Sequence, residues 1–531
     1  MKKNMLTGVA GMLCLAGIII SGCKKSSTFT NNTSTNGTET TARAVDPNPN
    51  ADAAINGYNS AFLITSGSTQ YYKTALNDNT KDYFWRQALD IQMVEDVYRR
   101  TKSTAHSTLI TNLLNTFLVQ NASTSGNQQD WTWNQYNDDL LWAGLAFARG
   151  YQVTHNSTFL NQAAYAFNLA YNRGWDASLG GGIWWDVAHT SKSGLSNNTA
   201  VMLGCYLYEF TRDITWLNKA SAIYDWIWNS IYNHTTGAVY ENMRPNGTVD
   251  MADNVYNAGA FIGAAGHLHR LTGRESLYDD AKRAVDYVRN NKTANGILSN
   301  GQRQGTWQSE FARGLGEFVR DNNLWSTYWG WMKQNADAAW NIRRTDWNIA
   351  WNQWTAPSPV DNVTTAVECV GAVVMQQVTP VTQPGFTDGA TYRLTPRINS
   401  GSALDVHGGL TADGTGVEIY GWNGGANQKF QVAPLGRGYY RLIPANATTR
   451  SVDVPGASNT DNTLIDIWTS NTTTAQYWKL VYDYDGYYKL KPKCAPVSCM
   501  NVQGNNPANG SKCVIWPESY GDNERWLFQI Q

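Results

Sequence analysis

Residues 404–430 read LDVHGGLTADGTGVEIYGWNGGANQKF, and the same frame returns as VDVPGASNTDNTLIDIWTSNTTTAQYW at 452–478 and as MNVQGNNPANGSKCVIWPESYGDNERW at 500–526. Asp405, Asp453 and Asn501 occupy one phase of this repeat, Tyr420, Trp468 and Trp516 a second, and Phe430, Trp478 and Trp526 a third. No insertion breaks the register. Each copy is preceded by Tyr392-Arg-Leu, Tyr440-Arg-Leu or Tyr488-Lys-Leu. Short β-branched and aromatic runs such as Val417-Glu-Ile-Tyr420 alternate with Gly, Asn and Pro turns, the pattern of short strands. One such unit cannot bury a core by itself, and only three copies are present, so the economical solution is a closed all-β assembly with threefold symmetry.

That assembly is a β-trefoil, and residues 388–531 resemble the ricin-type trefoil lectins and family 13 carbohydrate-binding modules. The resemblance implies that an Asp takes sugar hydroxyls, an aromatic ring stacks on the sugar face and an Asn-Gln pair adds hydrogen bonds. The first unit keeps the whole set as Asp405, Tyr420, Asn427 and Gln428. The second keeps Asp453, Trp468 and Gln476, with Ala475 in place of the Asn. The third has Asn501 for the Asp, Trp516, Asn523 and, in place of the Gln, Glu524. Phe430, Trp478 and Trp526 are expected to hold the trefoil core.

Outward from the repeat, the composition is that of a neutral, sparsely charged chain of 531 residues with net charge −1 and 16% charged residues. This gives no basic footprint for nucleic acid. Tryptophan is in excess, with 23 copies; indole faces stack on sugar rings, which suits a glycan cleft. The chain starts Met1-Lys-Lys, runs apolar to Ile20 and reaches Ser21-Gly22-Cys23, a secretory signal. It resembles bacterial lipoprotein signals, which implies cleavage before Cys23, acylation of its thiol and a place in the bacterial cell envelope, held to a membrane by lipid. Residues 24–45, rich in Ser, Thr, Asn and Gly, cannot bury enough apolar surface to fold. The expected order is thus signal 1–22, tether 23–45, a helical domain 46–377, a linker 378–387 marked by Pro380 and Pro384, and the trefoil 388–531. Cys494, Cys499 and Cys513 provide for one disulfide of undetermined pairing, whereas Cys205 and Cys369 lie in apolar helical stretches as buried thiols. No metal-ligand spacing appears, so neither metal nor cofactor is expected. The expected partner is a polysaccharide, bound by a monomer.

Between 46 and 377 apolar residues recur at period 3.6 in twelve segments, starting near 50, 84, 104, 137, 157, 197, 216, 255, 275, 308, 323 and 361. They pair into six hairpins, the count of an (α/α)6 toroid. The fold class is therefore multidomain, an all-α (α/α)6 barrel followed by the all-β trefoil. At the mouth of the fourth helix stands Tyr136-Asn137-Asp138-Asp139-Leu140-Leu141-Trp142. Two carboxylates at a helix N-terminus serve as caps and favour the positive end of the dipole. A glycosidase also needs one ionised and one protonated carboxyl, and a neighbouring anion raises the proton affinity of its partner.

The Asp138-Asp139-x-x-Trp142 motif, the Gly181-Gly-Ile-Trp184-Trp185 loop, the Asn197 helix, Tyr256-Asn257-Ala258-Gly259 and Phe311-Ala-Arg313-Gly occur in the order seen in glycoside hydrolase family 76, which this domain resembles. The resemblance implies a retaining endo-α-1,6-mannanase with Asp138 as nucleophile and Asp139 as general acid/base. It also implies substrate contact by Trp142, Trp184, Trp185, Asn197, Tyr256, Asn257 and Arg313. Of Trp184 and Trp185, one is expected to be a sugar platform and one a loop anchor. Arg313 has Glu317 one turn later as a structural partner, and Asp186 and Asp253 are rival catalytic carboxylates. Two other functions fit the same residues: a noncatalytic glycan-capture lipoprotein, and a transglycosylase using the same pair.

Overall fold

The computed structural model describes residues 47–299 and 308–531. The signal segment, Cys23 and the tether lie outside the described residues. Among the described residues the helical domain contains twelve α-helices: α1 (Pro49–Phe62), α2 (Phe84–Thr101), α3 (Thr104–Gln120), α4 (Asn137–Thr154), α5 (Ser157–Gly174), α6 (Gly194–Thr211), α7 (Ile214–Ser230), α8 (Val255–Thr272), α9 (Glu275–Asn291), α10 (Gln308–Asp321), α11 (Trp325–Asn341) and α12 (Ala366–Val378). The even-numbered helices form an inner ring in which each packs on the next and α12 closes back on α2. The odd-numbered helices wrap this ring from outside.

Burial explains which helix goes where. In α4 every residue from Leu140 to Gly150 is buried, whereas α9 buries a single stripe of Leu277, Tyr278, Ala281, Ala284, Val285 and Val288. A helix apolar all round must be enclosed, and one with a single apolar stripe covers it from the rim. The inner helices α2, α4, α6 and α8 all end in a left-handed residue, Lys102, His155, Arg212 and Gly273, which turns the chain at once into the next outer helix. At the crossing of α8 and α10 the backbones touch. A side chain at Gly259 would collide with the backbone of Glu310 and Phe311, and one at Gly314 with the carbonyl of Gly259. Both glycines of those two motifs are therefore packing residues.

The C-terminal part holds twelve strands, four per repeat: β1 (Thr391–Pro396), β2 (Ser402–Val406), β3 (Thr415–Gly421), β4 (Phe430–Gly436), β5 (Tyr439–Pro444), β6 (Arg450–Asp453), β7 (Asp466–Thr469), β8 (Trp478–Tyr482), β9 (Tyr487–Pro492), β10 (Ser498–Val502), β11 (Ser511–Pro517) and β12 (Trp526–Ile530). Six of them close a barrel in the order β4-β5-β8-β9-β12-β1, and the hairpins β2–β3, β6–β7 and β10–β11 cap it. This is the β-trefoil. Phe430, Trp478 and Trp526 are fully buried in its core as expected. Phe386, from the segment read as a linker, packs its ring against Tyr392, Tyr440 and Tyr488, the three tyrosines that open the repeats. That segment thus contributes a plug to the trefoil.

The expected disulfide is not made; Cys494, Cys499 and Cys513 are all free thiols. On the β10–β11 ladder Cys499 faces Trp516 while Cys513 faces Val502. The two thiols are separated by about 10 Å along the strands at 3.4 Å per residue, beyond the reach of a disulfide. Cys205 and Cys369 are buried thiols.

The described residues form one compact unit, and the trefoil sits on the C-terminal ends of the inner helices. Lys102, just past α2, pairs with Asp483 at 3.1 Å; Asn322, just past α10, accepts from Lys479; Tyr439 packs against His269 near the end of α8; and Tyr484 reaches the Gln377 carbonyl near the end of α12. Lys493 and Arg437 pair with Glu275 and Asp279 on α9. Helix C-termini carry negative partial charge, and Lys479, seated beside the end of α10, complements it.

Candidate active site

A cleft of about 680 Å³ opens at the other end of the ring, among the N-termini of α2, α4, α6 and α10. Its walls carry Tyr83, Trp85, Trp133, Tyr136 and Trp185, and Trp142 lies beneath Asp138 and Asp139 one turn into α4. The local build follows from Asn137. Its backbone N–H donates to the Trp185 carbonyl at 2.7 Å, its side chain donates to the Trp184 carbonyl at 2.7 Å, and it accepts from Arg173 at 2.6 Å. The start of α4 is thereby bolted to the Gly180–Asp186 loop. Three successive glycines with φ of +84°, +115° and +85° turn that loop, a path closed to side-chain-bearing residues. Beyond it, Trp185 tilts against Tyr136 with ring centroids 5.0 Å apart, and its side chain favours the charged form of Asp138.

The two carboxylates are held differently. Asp138 accepts the Asp139 backbone N–H at 3.0 Å at the positive end of α4, with the Trp185 side chain favouring its charged form. Asp139 accepts from the Asn134 side chain at 3.1 Å, and Asn134 is itself fixed by the Tyr136 backbone. Burial, then the charge of Asp139, pushes the Asp138 carboxyl well above the usual carboxylate range, and burial pushes Asp139 up to about 6. Neither has a cationic partner among the described residues, so the pair holds a proton into the mildly acidic range and titrates as a unit. The pair thus offers one anion and one transferable proton at the same wall of an aromatic cleft.

Of the residues expected to touch substrate, Trp142 and Trp185 border this cleft. The others do not. Trp184 is buried, donates to Asp176 at 2.7 Å and stacks on His189 at 4.8 Å, so it is the loop anchor. Asn197 is fully buried, with its amide committed to the backbone of Ile183 and Ser193; it holds the loop from beneath. Tyr256 and Asn257 are buried and both bind Glu241, at 2.9 and 2.8 Å, which makes them a brace between the α8 start and the segment that leads into it. Arg313 is buried and pairs with Asp96 at 2.9 Å and Glu310 at 2.7 Å rather than with Glu317, which belongs to Arg99. The rivals are occupied as well: Asp186 caps the turn at Thr190, and Asp253 binds Lys292 and Tyr287. Asp82, Tyr83, Trp85, Trp133 and Glu310, which no motif marks, border the cleft as well. The aromatic runs Tyr83-Phe-Trp85 and Trp131-Thr-Trp133 were the available signal.

In the trefoil, Tyr420, Trp468 and Trp516 are exposed to the same degree, 45, 46 and 45%. Asp405, Asp453 and Asn501 stand at the equivalent buried position on β2, β6 and β10. Asn427 donates to Asp405 at 3.0 Å, and Asn523 donates to Asn501 at 2.6 Å, so the third unit repeats the first with an amide for the acid. A pocket of about 450 Å³ lies beside Asn501, Trp516 and Asn523. Gln428 and Gln476 are fully buried and accept the backbone N–H of Asn423 and Asn471, each at 2.9 Å; Glu524 does the same for Ser519. These three shape the sugar loops from within rather than presenting an amide to solvent. In the second unit Asp453 faces Asp466 across the ladder, and burial together with Asp453 and Asp413 pushes Asp466 up to about 7.

Comparison with known proteins agrees with this architecture. Residues 51–384 match glycosyl hydrolase family 76, and residues 383–468 and 445–516 match the ricin-type beta-trefoil lectin domain-like family. A putative mannan endo-1,6-alpha-mannosidase of Schizosaccharomyces pombe is 23% identical over 262 residues, covering 43% of this chain and 56% of that protein, so the match spans just over half of its length. The alpha-1,6-mannanase structure from Salegentibacter sp. HEL1_6 is 25% identical with a TM-score of 0.56, over 62% of this chain and 98% of that one. A family 76 mannosidase of Bacteroides thetaiotaomicron shares the fold at 20% identity and a TM-score of 0.52, over 62% of this chain and 97% of its own. With the family match extending across the whole helical ring and its cleft, the chain belongs to glycosyl hydrolase family 76.

Proposed function

We propose that the protein is a retaining endo-hydrolase of α-1,6-linked mannan, and that its trefoil keeps the enzyme on the polymer. The observation that carries this reading is the Asp138–Asp139 pair, without a cationic partner among the described residues, on the wall of a cleft rimmed with aromatic rings. In the first step an Asp138 oxygen bonds to the anomeric carbon as the glycosidic bond breaks. The proton of Asp139 passes to the departing oxygen of the neighbouring mannosyl unit. In the second step Asp139, now a carboxylate, takes a proton from water, the water oxygen attacks the same carbon and Asp138 is released. Trp185 lines the cleft with Asp138 and favours its charged form, and Asn134 holds Asp139. Support for the substrate comes from the Salegentibacter enzyme, of which an inactive variant with two consecutively numbered aspartates changed to asparagine was solved with α-1,6-mannotriose.

The test is product analysis on a panel of polysaccharides. Linear α-1,6-mannan should yield short mannooligosaccharides, while α-1,4-glucan and β-1,4-mannan remain intact; cleavage confined to another glycan would overturn the substrate. The Ser21-Gly22-Cys23 end of the apolar leader supports, as a further part of this reading, a lipid anchor at Cys23 in the cell envelope. Labelled fatty acid should enter the wild-type chain and fail to enter the Cys23→Ala variant, and labelling that persists in the variant would exclude that anchor.

A further inference from the structure

Glu310 stands in the first turn of α10 and borders the same cleft as Asp138 and Asp139, although its side chain is almost wholly enclosed. Three features immobilise it. Its backbone is pressed against α8 at Gly259, where no side chain fits. Its Oε1 accepts from Arg313 at 2.7 Å and from the Ser309 hydroxyl at 3.3 Å. Arg313 is in turn held by Asp96 at 2.9 Å, and Asp96 also takes Arg149 from α4, the helix that carries the dyad. The Phe311-Ala-Arg313-Gly motif therefore delivers no arginine to the cleft; it delivers a carboxylate fixed to the frame of the dyad.

A fixed carboxylate at a sugar cleft has a specific use. It accepts hydrogen bonds from two adjacent ring hydroxyls, and charge-assisted bonds of this kind are about twice as strong as neutral ones. In an α-1,6-linked mannan the hydroxyls at C2, C3 and C4 of each unit are free of the linkage and can donate. We propose that Glu310 is a substrate-binding residue that accepts hydrogen bonds from the ring hydroxyls of a mannosyl unit in the cleft, with Arg313 and Asp96 as the positioning residues that hold it there. This rests on the mannan reading above. A purely structural Glu310 would serve only as counter-ion to Arg313, and the two roles separate in binding.

The experiment uses the full chain carrying Asp138→Asn and Asp139→Asn, titrated calorimetrically with α-1,6-mannotriose. Adding Glu310→Gln should weaken binding about tenfold to a hundredfold, the range for one hydrogen bond to a charged group. Glu310→Asp, which keeps the charge and shortens its reach, should fall between, and serves if the Gln variant does not fold. In the active enzyme Glu310→Gln should raise KM far more than it lowers kcat. Affinity within about twofold of the parent in both variants, whatever happens to the melting temperature, would overturn the proposal and leave Glu310 a counter-ion. If the parent with Glu310 intact does not bind α-1,6-mannotriose, the substrate reading itself fails and this inference falls with it.

Discussion

The two ends of one helix ring treat the same chemical group in opposite ways. At the N-terminal end Asp138 and Asp139 are enclosed among aromatic rings without a cationic partner among the described residues, and burial drives both upward, Asp139 to about 6. At the C-terminal end burial also works to raise Glu209, but Arg270 and His267 outweigh it and bring it down to about 2; Arg99 does the same for Glu317. The difference lies in what covers the carboxylates. Where the trefoil meets the ring, Lys102 of the ring pairs with the trefoil's Asp483, which also takes Arg525, and Glu518 beside them takes Lys489 and Lys491, so the charges are neutralised and the end is closed. Where the end stays open to a neutral polymer, the carboxylates keep a proton to give. One end is built for chemistry and the other for cohesion.

The largest test of this contrast is Asp138→Asn, which should lower turnover of mannan by about 10⁴-fold or more, as removal of a nucleophile does. Its melting temperature should not fall, because Asn removes the repulsion between the two neighbouring carboxyls while keeping an acceptor for the Asp139 backbone N–H. Near-normal turnover would reduce the pair to a helix cap. The next effect is on stability. Arg270→Met takes from Glu209 its principal ion-pair partner, leaving only His267, and should cost about 3–5 kcal/mol, the penalty of breaking a buried pair, while kcat on short mannooligosaccharides below the melting temperature stays unchanged. A large loss of kcat at equal folding would mean that the closed end takes part in the chemistry. Smaller still, Trp468→Ala or Trp516→Ala should each weaken retention on insoluble mannan by about 0.5–1.5 kcal/mol, the scale of one aromatic stacking contact, with soluble substrate cleaved as before.

The smallest effect is in the pH dependence of stability, where the two kinds of carboxylate have opposite signs. Glu209 has a folded value of about 2, below its ordinary 4.5, so its contribution is present above 4.5 and lost as pH falls toward 2. Asp466 has a folded value of about 7, above its ordinary 3.8, so its contribution is present below 3.8 and lost as pH rises through 7. Asp466→Asn should therefore flatten the decline in melting temperature between pH 5 and 8, which thermal scans at the two values would detect; an unaltered slope would assign the decline to other groups.

The twelve helices were legible because each carries its own 3.6-residue apolar pattern, and the trefoil because its pattern is written three times. The last helix was read as starting near 361, whereas it begins at Ala366 behind the Thr365–Glu368 capping box; Val360 and Val363 extended the apolar run but are exposed. The dyad, Trp142 and Trp185 were legible from one motif and one loop. Motif membership could not distinguish a cleft wall from the scaffold behind it, which is why Trp184, Asn197, Tyr256, Asn257 and Arg313 were read as substrate contacts. Tyr83 and Trp133 lie before helices and Trp85 in the first turn of one, where periodicity does not mark them. The closed end was invisible for a different reason: its ion pairs join residues such as Lys102 and Asp483, and nothing local in either stretch points to the other.

The central claim is that Asp138 attacks carbon and Asp139 moves the proton. Proton NMR of the first product released from α-1,6-mannan, recorded before mutarotation, tests it most directly. The new reducing end should appear as the α-anomer, with the β-anomer growing in only as the sugar equilibrates. The β-anomer appearing first would contradict it, because a single displacement by water would then replace the two-step exchange at Asp138.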